Sequence, residues 1–169
     1  MKDVGLLVLR ATTGGLIAGH GSQKLLGAFG GPGLEGTAGF MESLGLRPGK
    51  YWGTAAALSE TSGILTALGL LHPLGPLGTT AAMTMATAKA HWGKPIWATA
   101  GGAELAVTNI AASLALMLTG PGKYSLDQMF GIKLPRPLVI AAILAAAGAV
   151  AYGIVVPPAD QQDAQAAAE

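Results

Sequence analysis

The sequence predicts an all-α integral membrane protein, an antiparallel up-down bundle of four transmembrane helices followed by a fifth, C-terminal transmembrane helix. Three observations carry that expectation. Apolar residues make up 51% of the chain and charged residues only 11%, against roughly 25% charge in an ordinary soluble domain. The apolar residues fall in long runs, and about 20 in succession cover the hydrocarbon thickness of a bilayer. Short glycine- and proline-rich connections separate the runs, which forces neighbouring spans to lie antiparallel.

Composition also excludes several classes. A net charge of +1 leaves no electrostatic footprint for nucleic acid. Cysteine is absent, so disulfides, thiolate metal sites and dithiol redox chemistry are beyond this chain by itself. No Glu-x-x-His pair or HExxH motif supports a metal centre. The GGPG run at 30–33 has neither the lysine-serine pair of a P-loop nor a Rossmann strand beside it, and reads as a bend.

The first span runs from Val4 to Leu26. Arg10, His20 and Lys24 fall within an arc of roughly 80° on it, and Gly15 with Gly19 has the GxxxG spacing that lets helices approach closely in lipid. Lys2 before an apolar run imitates a signal peptide, but Arg10 interrupts the run and His20, Gln23 and Lys24 do not form a small-residue cleavage site. Gly27 to Gly33 breaks the helix. Beyond it, with Thr37 as N-cap, Phe40, Met41 and Leu44 share one side until Gly45 and Pro48 stop the segment. Two amphipathic turns of this kind suit a cap lying at the membrane surface.

The second span runs from Trp52 to Leu71 with Glu60 near its centre, and His72-Pro73 ends it. A tight Pro73-Leu74-Gly75-Pro76 turn leads to the third, Leu77 to Trp92, where Thr80, Thr84, Thr87 and His91 fall within roughly 60°. The fourth, Trp97 to Leu118, carries Glu104, Thr108 and Asn109 and is closed by Gly120-Pro121-Gly122. Tyr124 to Phe130 reads as a short interfacial turn. The fifth run, Leu138 to Val156, has no charged residue and invites packing through small residues such as Ala149 and Gly153. The chain thus divides into a four-helix core over 1–130 with an interfacial segment at 27–50, an additional helix over 131–157, and an acidic tail over 158–169 expected to be disordered.

Threading the spans through a bilayer places the polar residues in depth. With the far side of the first span called B, His20 lies about 7 Å and Lys24 about 13 Å toward B, while Glu60 is within about 2 Å of the midplane. Lys89, His91 and Glu104 lie about 6–10 Å toward B, and Arg10 alone falls about 7 Å toward the opposite side A. A charge in lipid costs several kcal/mol, roughly, unless it is paired or hydrated, so the expected arrangement is one inward network of Glu60 and Glu104 against Lys24, Lys89, His20 and His91. Arg10 either snorkels to side A or reaches inward to Glu60. Tyr51, Trp52, Trp92 and Trp97 fall at side B span ends, as an interfacial belt does. The basic residues divide evenly between the two sides, so the positive-inside rule gives no orientation.

For Glu60, two readings stand side by side: a proton carrier or ligand residue, and a carboxylate paired with a first-span cation to fix packing. Glu104 leans toward a pairing role with Lys89 or Lys24.

Four stretches carry a family resemblance: GLLVLRATTGGLIAGHGSQKLLGAFGGPGLEGTAGFMESLGLRPG, ALSETSGILTALGLL, AHWG at the end of the third span, and LTGPGKYSLDQM. Across residues 5–130 the chain resembles the DoxX family of small bacterial membrane proteins. The resemblance implies a four-helix membrane bundle in the bacterial inner or plasma membrane, crossing it several times. It also implies that Arg10, His20, Gln23, Lys24, Glu60 and Glu104 are the recurring polar set. The family's name comes from a subunit associated with thiosulfate:quinone oxidoreduction and terminal oxidases, and some relatives are linked to an assembly with superoxide dismutase and a thiosulfate sulfurtransferase. The fifth span and acidic tail depart from that pattern.

The expectation for function is a redox-associated accessory protein with no redox centre of its own. Glu60 and Glu104 would handle protons, while Arg10, His20, Gln23, Lys24 and His91 would bind a ligand such as a quinone. Its partners would be the lipid bilayer and, by resemblance, the soluble enzymes just named, with a homo-oligomer allowed. The alternatives are a non-catalytic membrane scaffold that recruits soluble enzymes and, with less support, a transporter of protons or small ions.

Overall fold

The computed structural model describes residues 1–157 and residue 161 of the 169-residue chain, and no strand occurs among the described residues. The acidic tail lies outside them except at Gln161. Helix α1 spans Lys2–Leu26, α2 Gly33–Ser43, α3 Gly49–Thr61, α4 Gly63–Leu68, α5 Leu74–Met85, α6 Glu104–Thr119, α7 Leu126–Phe130 and α8 Arg136–Val155.

Local chemistry sets most of the boundaries. Gly27 adopts a left-handed φ of 70° and returns its N–H to the Gln23 carbonyl, closing α1, as a glycine C-cap does. Helix α2 begins five residues earlier than the sequence suggests, with Pro32 in place of Thr37 as its N-cap. Pro32 supplies a pre-set φ of −72° at its start, and Thr37 sits inside the helix with its hydroxyl donating to the Gly33 carbonyl at 2.7 Å. The expected second span is divided at Ser62 into α3 and α4. The Ser62 hydroxyl donates to the Ser59 carbonyl at 2.6 Å, and Leu65 N–H donates to the Ser62 carbonyl, an i→i+3 bond that tightens the turn.

The Pro73–Pro76 run is no turn: Pro73 is the N-cap of α5, and Leu74 through Pro76 form its first coil. Proline is tolerated there because the first N–H groups of a helix have no intrahelical partner. Helix α5 continues into a π turn over Ala86–Ala90. Helix α6 starts at Glu104, seven residues after the expected beginning, because 98–100 form a 3₁₀ turn that Gly101 ends at φ 76°.

Among the described residues, one helix is long and apolar enough to cross a membrane: α8, with a mean hydropathy of 2.5 and only 6% of that window buried. Helix α6 is apolar but shorter, at 16 residues. Helix α1 is kept from qualifying by its polar residues, α3 and α4 by the break at Ser62, and α5 by its length of 12 residues.

Helix α1 packs on α3 and α4; α5 packs on α3, α4 and α6; α8 packs on α5. Ile17, Met83 and Ala106 form the centre of the core, backed by Ala82 and Ile110. The α1 contact is made by glycines, but not by the expected GxxxG pair. Gly15 and Gly19 have open space around them, whereas a Cβ on Gly14 would meet Ala67 N at 2.5 Å and one on Gly63 would meet Gly14 O at 2.5 Å. A Cβ on Gly21 would likewise meet Thr61 N at 2.3 Å. The reason is angular: Gly14 and Gly21 are seven residues apart and share the face turned to α3–α4, while Gly15 is rotated about 100° from Gly14.

Gly14→Ala is therefore expected to lower stability by about 1–3 kcal/mol, since backbone cannot yield as a side chain does. Gly15→Ala leaves stability unchanged or higher. Thermal unfolding of both variants in one detergent, followed by circular dichroism, checks the contrast.

Candidate functional site

The polar residues do not form one network. Two of them make a pair. Lys24, one turn from the end of α1, donates its ammonium to Glu60 Oε2 across to α3. The Glu60 side chain is 7% exposed and that of Lys24 25%, so the carboxylate is the more deeply held partner. A buried carboxylate stays charged only with such a partner.

This pair stands on the wall of a cavity of about 480 Å³. Helix α2 contributes Phe40, Met41 and Leu44, α3 contributes Trp52 through Glu60, α5 runs from Leu74 to Met85 along it, and α8 adds Ala146, Ala149 and Val150. The amphipathic α2 thus covers the cavity with its apolar side. Lys89 and His91 line the same cavity from the π turn, a device frequent at functional sites because its extra residue redirects side chains. The Lys89 ammonium donates to the Val156 carbonyl beyond α8, and His91 Nδ1 lies 2.7 Å from Gly101 O.

Glu104 joins none of this. It is the first residue of α6, and its Oε2 accepts the Ala98 N–H at 2.9 Å. A carboxylate at a helix N-terminus meets the positive end of the helix dipole and free N–H groups, so Glu104 is held by its own loop. His20 is exposed and away from the cavity. Gln23 backs the glycine bend: a Cβ on Gly31 would come within 2.6 Å of its backbone. The threonine stripe is internally satisfied. Thr80, Thr84 and Thr87 each donate to the carbonyl four residues before, at 2.8–2.9 Å, which lets hydroxyls sit on an apolar helix at little cost.

Arg10 neither snorkels nor reaches Glu60. It is 3% exposed and its guanidinium donates to the carbonyls of Ala67 and Tyr124, tying α1 to α4 and to the segment before α7. Five N–H donors in a planar fork let one side chain serve both carbonyls at once.

Arg10 belongs to a cluster at the opposite end of the protein whose centre is Asp127, a residue outside the expected polar set. Asp127, also buried, accepts the Leu71 N–H on Oδ1 and the His72 N–H on Oδ2, both at 2.8 Å. These bonds hold Leu71 at a φ of 51°, a left-handed conformation that a leucine does not adopt unaided. Ser125 caps α7 by accepting the Gln128 N–H at 3.3 Å. The signal was the Ser-x-x-Gln spacing of 125–128, a capping-box pattern.

Among the described residues, no three His, Cys, Asp or Glu side chains gather closely enough to hold a metal ion. The arrangement defines a helical protein with an apolar cavity carrying one ion pair and two further basic groups. The DoxX family model matches residues 5–92, just over half of the chain, so the chain belongs to the DoxX family, a family of membrane proteins. No curated protein and no solved structure matches it. The resemblance read beyond residue 92, including the segment around Asp127, lies outside the matched stretch.

Burial holds the His72 imidazole below its ordinary value, against the opposing pull of the Met117 carbonyl and of Asp127. Its folded-state affinity for a proton is thus lower than in the unfolded chain, so the unfolded state gains protons first as pH falls. Stability at this end is full above about pH 6.5, the unfolded imidazole's range, and declines below it. His72→Gln should flatten that decline, which chemical denaturation in detergent at pH 7.5 and 5.5 measures.

Proposed function

We propose that this DoxX-family protein is a multi-pass protein of the bacterial inner or plasma membrane and an accessory to redox chemistry. The four-helix core spans residues 1–130, α8 crosses as an additional helix, and the cavity holds a quinone or a similarly amphipathic molecule. The single observation that supports this is the cavity itself: about 480 Å³, within the range of small-molecule sites, with apolar walls and a few convergent polar groups.

The residues present fit such a group. A quinone's ring and tail suit walls of alanine, leucine and methionine, and its oxygens need donors, which Lys24, Lys89 and His91 provide. When bound, a quinone supplies reversible two-electron, two-proton chemistry. The chain's own contribution is binding, orientation and exclusion of water. Glu60 is the one acid on the cavity wall among the described residues, so a proton exchanged with the ligand passes through its carboxylate, while Lys24 sets the charge beside it. The soluble partners implied by the family, a superoxide dismutase and a sulfurtransferase, would dock from outside the bilayer.

A second reading follows from the same ion pair: a non-catalytic scaffold in which Lys24 and Glu60 only fix helix register. Mass spectrometry of lipid extracted from detergent-purified protein separates the two. The proposal expects a quinone in about one-to-one ratio with the wild type and its depletion in Glu60→Gln of unchanged helical content. Bulk phospholipid alone in both preparations favours the scaffold.

A further inference from the structure

We infer that α8 is the wall that selects the cavity's ligand, and that Ala146 and Val150 set the width of the molecule admitted. This rests on the ligand-binding reading above. The other walls, α1, α2, α3 and α5, lie within the stretch shared with the family, whereas α8 lies outside it. The groove formed within the matched stretch is therefore completed by an element outside it.

Three contacts hold α8 in that place, all near its C-terminal end. The Trp52 and Tyr152 rings stack with centroids 6.0 Å apart and planes 11° apart. Gly153 receives Met85 and Trp52 so closely that a Cβ there would lie 2.5 Å from Met85 Cε. Lys89 donates to the Val156 carbonyl just past the helix. Position is thus fixed by tight packing, while the two turns before it leave room.

The inward face of α8 is Val139, Ala142, Ala146, Val150 and Gly153, at helical spacing, and none is larger than valine. The cavity exists beside α8 because these residues are small. Nor do they offer a polar side chain, while Lys24, Glu60, Lys89 and His91 stand on α1, α3 and the π turn. A ligand therefore lies with its polar head toward α1 and the π turn and its apolar body against Ala146 and Val150. Enlarging either residue removes the space for the body without touching a group that binds the head.

The test uses Trp52, which lines the cavity. The chain has three tryptophans, and Trp92 and Trp97 are exposed, so Trp92→Phe with Trp97→Phe leaves Trp52 as the sole indole. Decylubiquinone, titrated into the detergent-purified full chain, should quench Trp52 fluorescence saturably. In Ala146→Leu the apparent Kd should rise about tenfold or more, a factor worth about 1.4 kcal/mol. Ala141→Leu, on the outward face, should leave it unchanged. If Ala146→Leu loses helical content, Ala149→Leu, at the more open part of the same wall, decides in its place. Saturable binding in the parent with equal Kd in the inward and outward variants overturns the role of α8 while leaving the ligand reading intact. No saturable quenching in the parent overturns both.

Discussion

The ion pair between Lys24 and Glu60 is the constraint around which the cavity half of the protein is arranged. Two opposite charges inside an apolar bundle must face each other, because each unpaired would carry the full cost of desolvation. That requirement fixes the rotation of α1 relative to α3, and the glycines follow from it. With Lys24 turned to Glu60, the residues of α1 that face α3–α4 are Gly14 and Gly21, and only a bare backbone permits the approach at that distance. The break at Ser62, two residues past Glu60, lets α4 turn away along α1 while α3 keeps the carboxylate at the cavity wall.

The opposite end is held by a different logic. Arg10 and Asp127 satisfy backbone groups, not each other: the guanidinium takes one carbonyl from the last turn of α4 and one from the segment before α7, and the carboxylate takes N–H groups of the α4–α5 turn. Both devices stabilise a place where the chain reverses and cannot satisfy itself. The protein thus has one end built for rigidity and another built around a cavity, with α8 closing the second.

Much of this was legible in the sequence. The hydropathy runs predict an all-helical chain, as the described residues are, and the cost of a charge in lipid predicts a first-span cation beside Glu60, which is Lys24. Depth does not give rotation. Glu104 and His20 face their own loop or the outside instead of the cavity. The Gly15–Gly19 motif was chosen by spacing, while Gly14 and Gly21 were selected by the partner helix, which the sequence does not display. The partners of Arg10 are hidden for the same reason, since a carbonyl acceptor on a distant segment leaves no mark at residue 10. Thr37 and the Pro73–Pro76 run show how one local signal, a capping residue or a proline, reads equally well inside a helix and at its edge.

The most direct measurement is a double-mutant cycle on Lys24→Met and Glu60→Leu, with stability followed by denaturant unfolding in one detergent. Each single change should destabilise by about 3–5 kcal/mol, because it strands the opposite charge. The double change should recover most of that loss, giving a large coupling between the two sites. Small single effects that simply add would contradict the account, since the two residues would then not depend on each other.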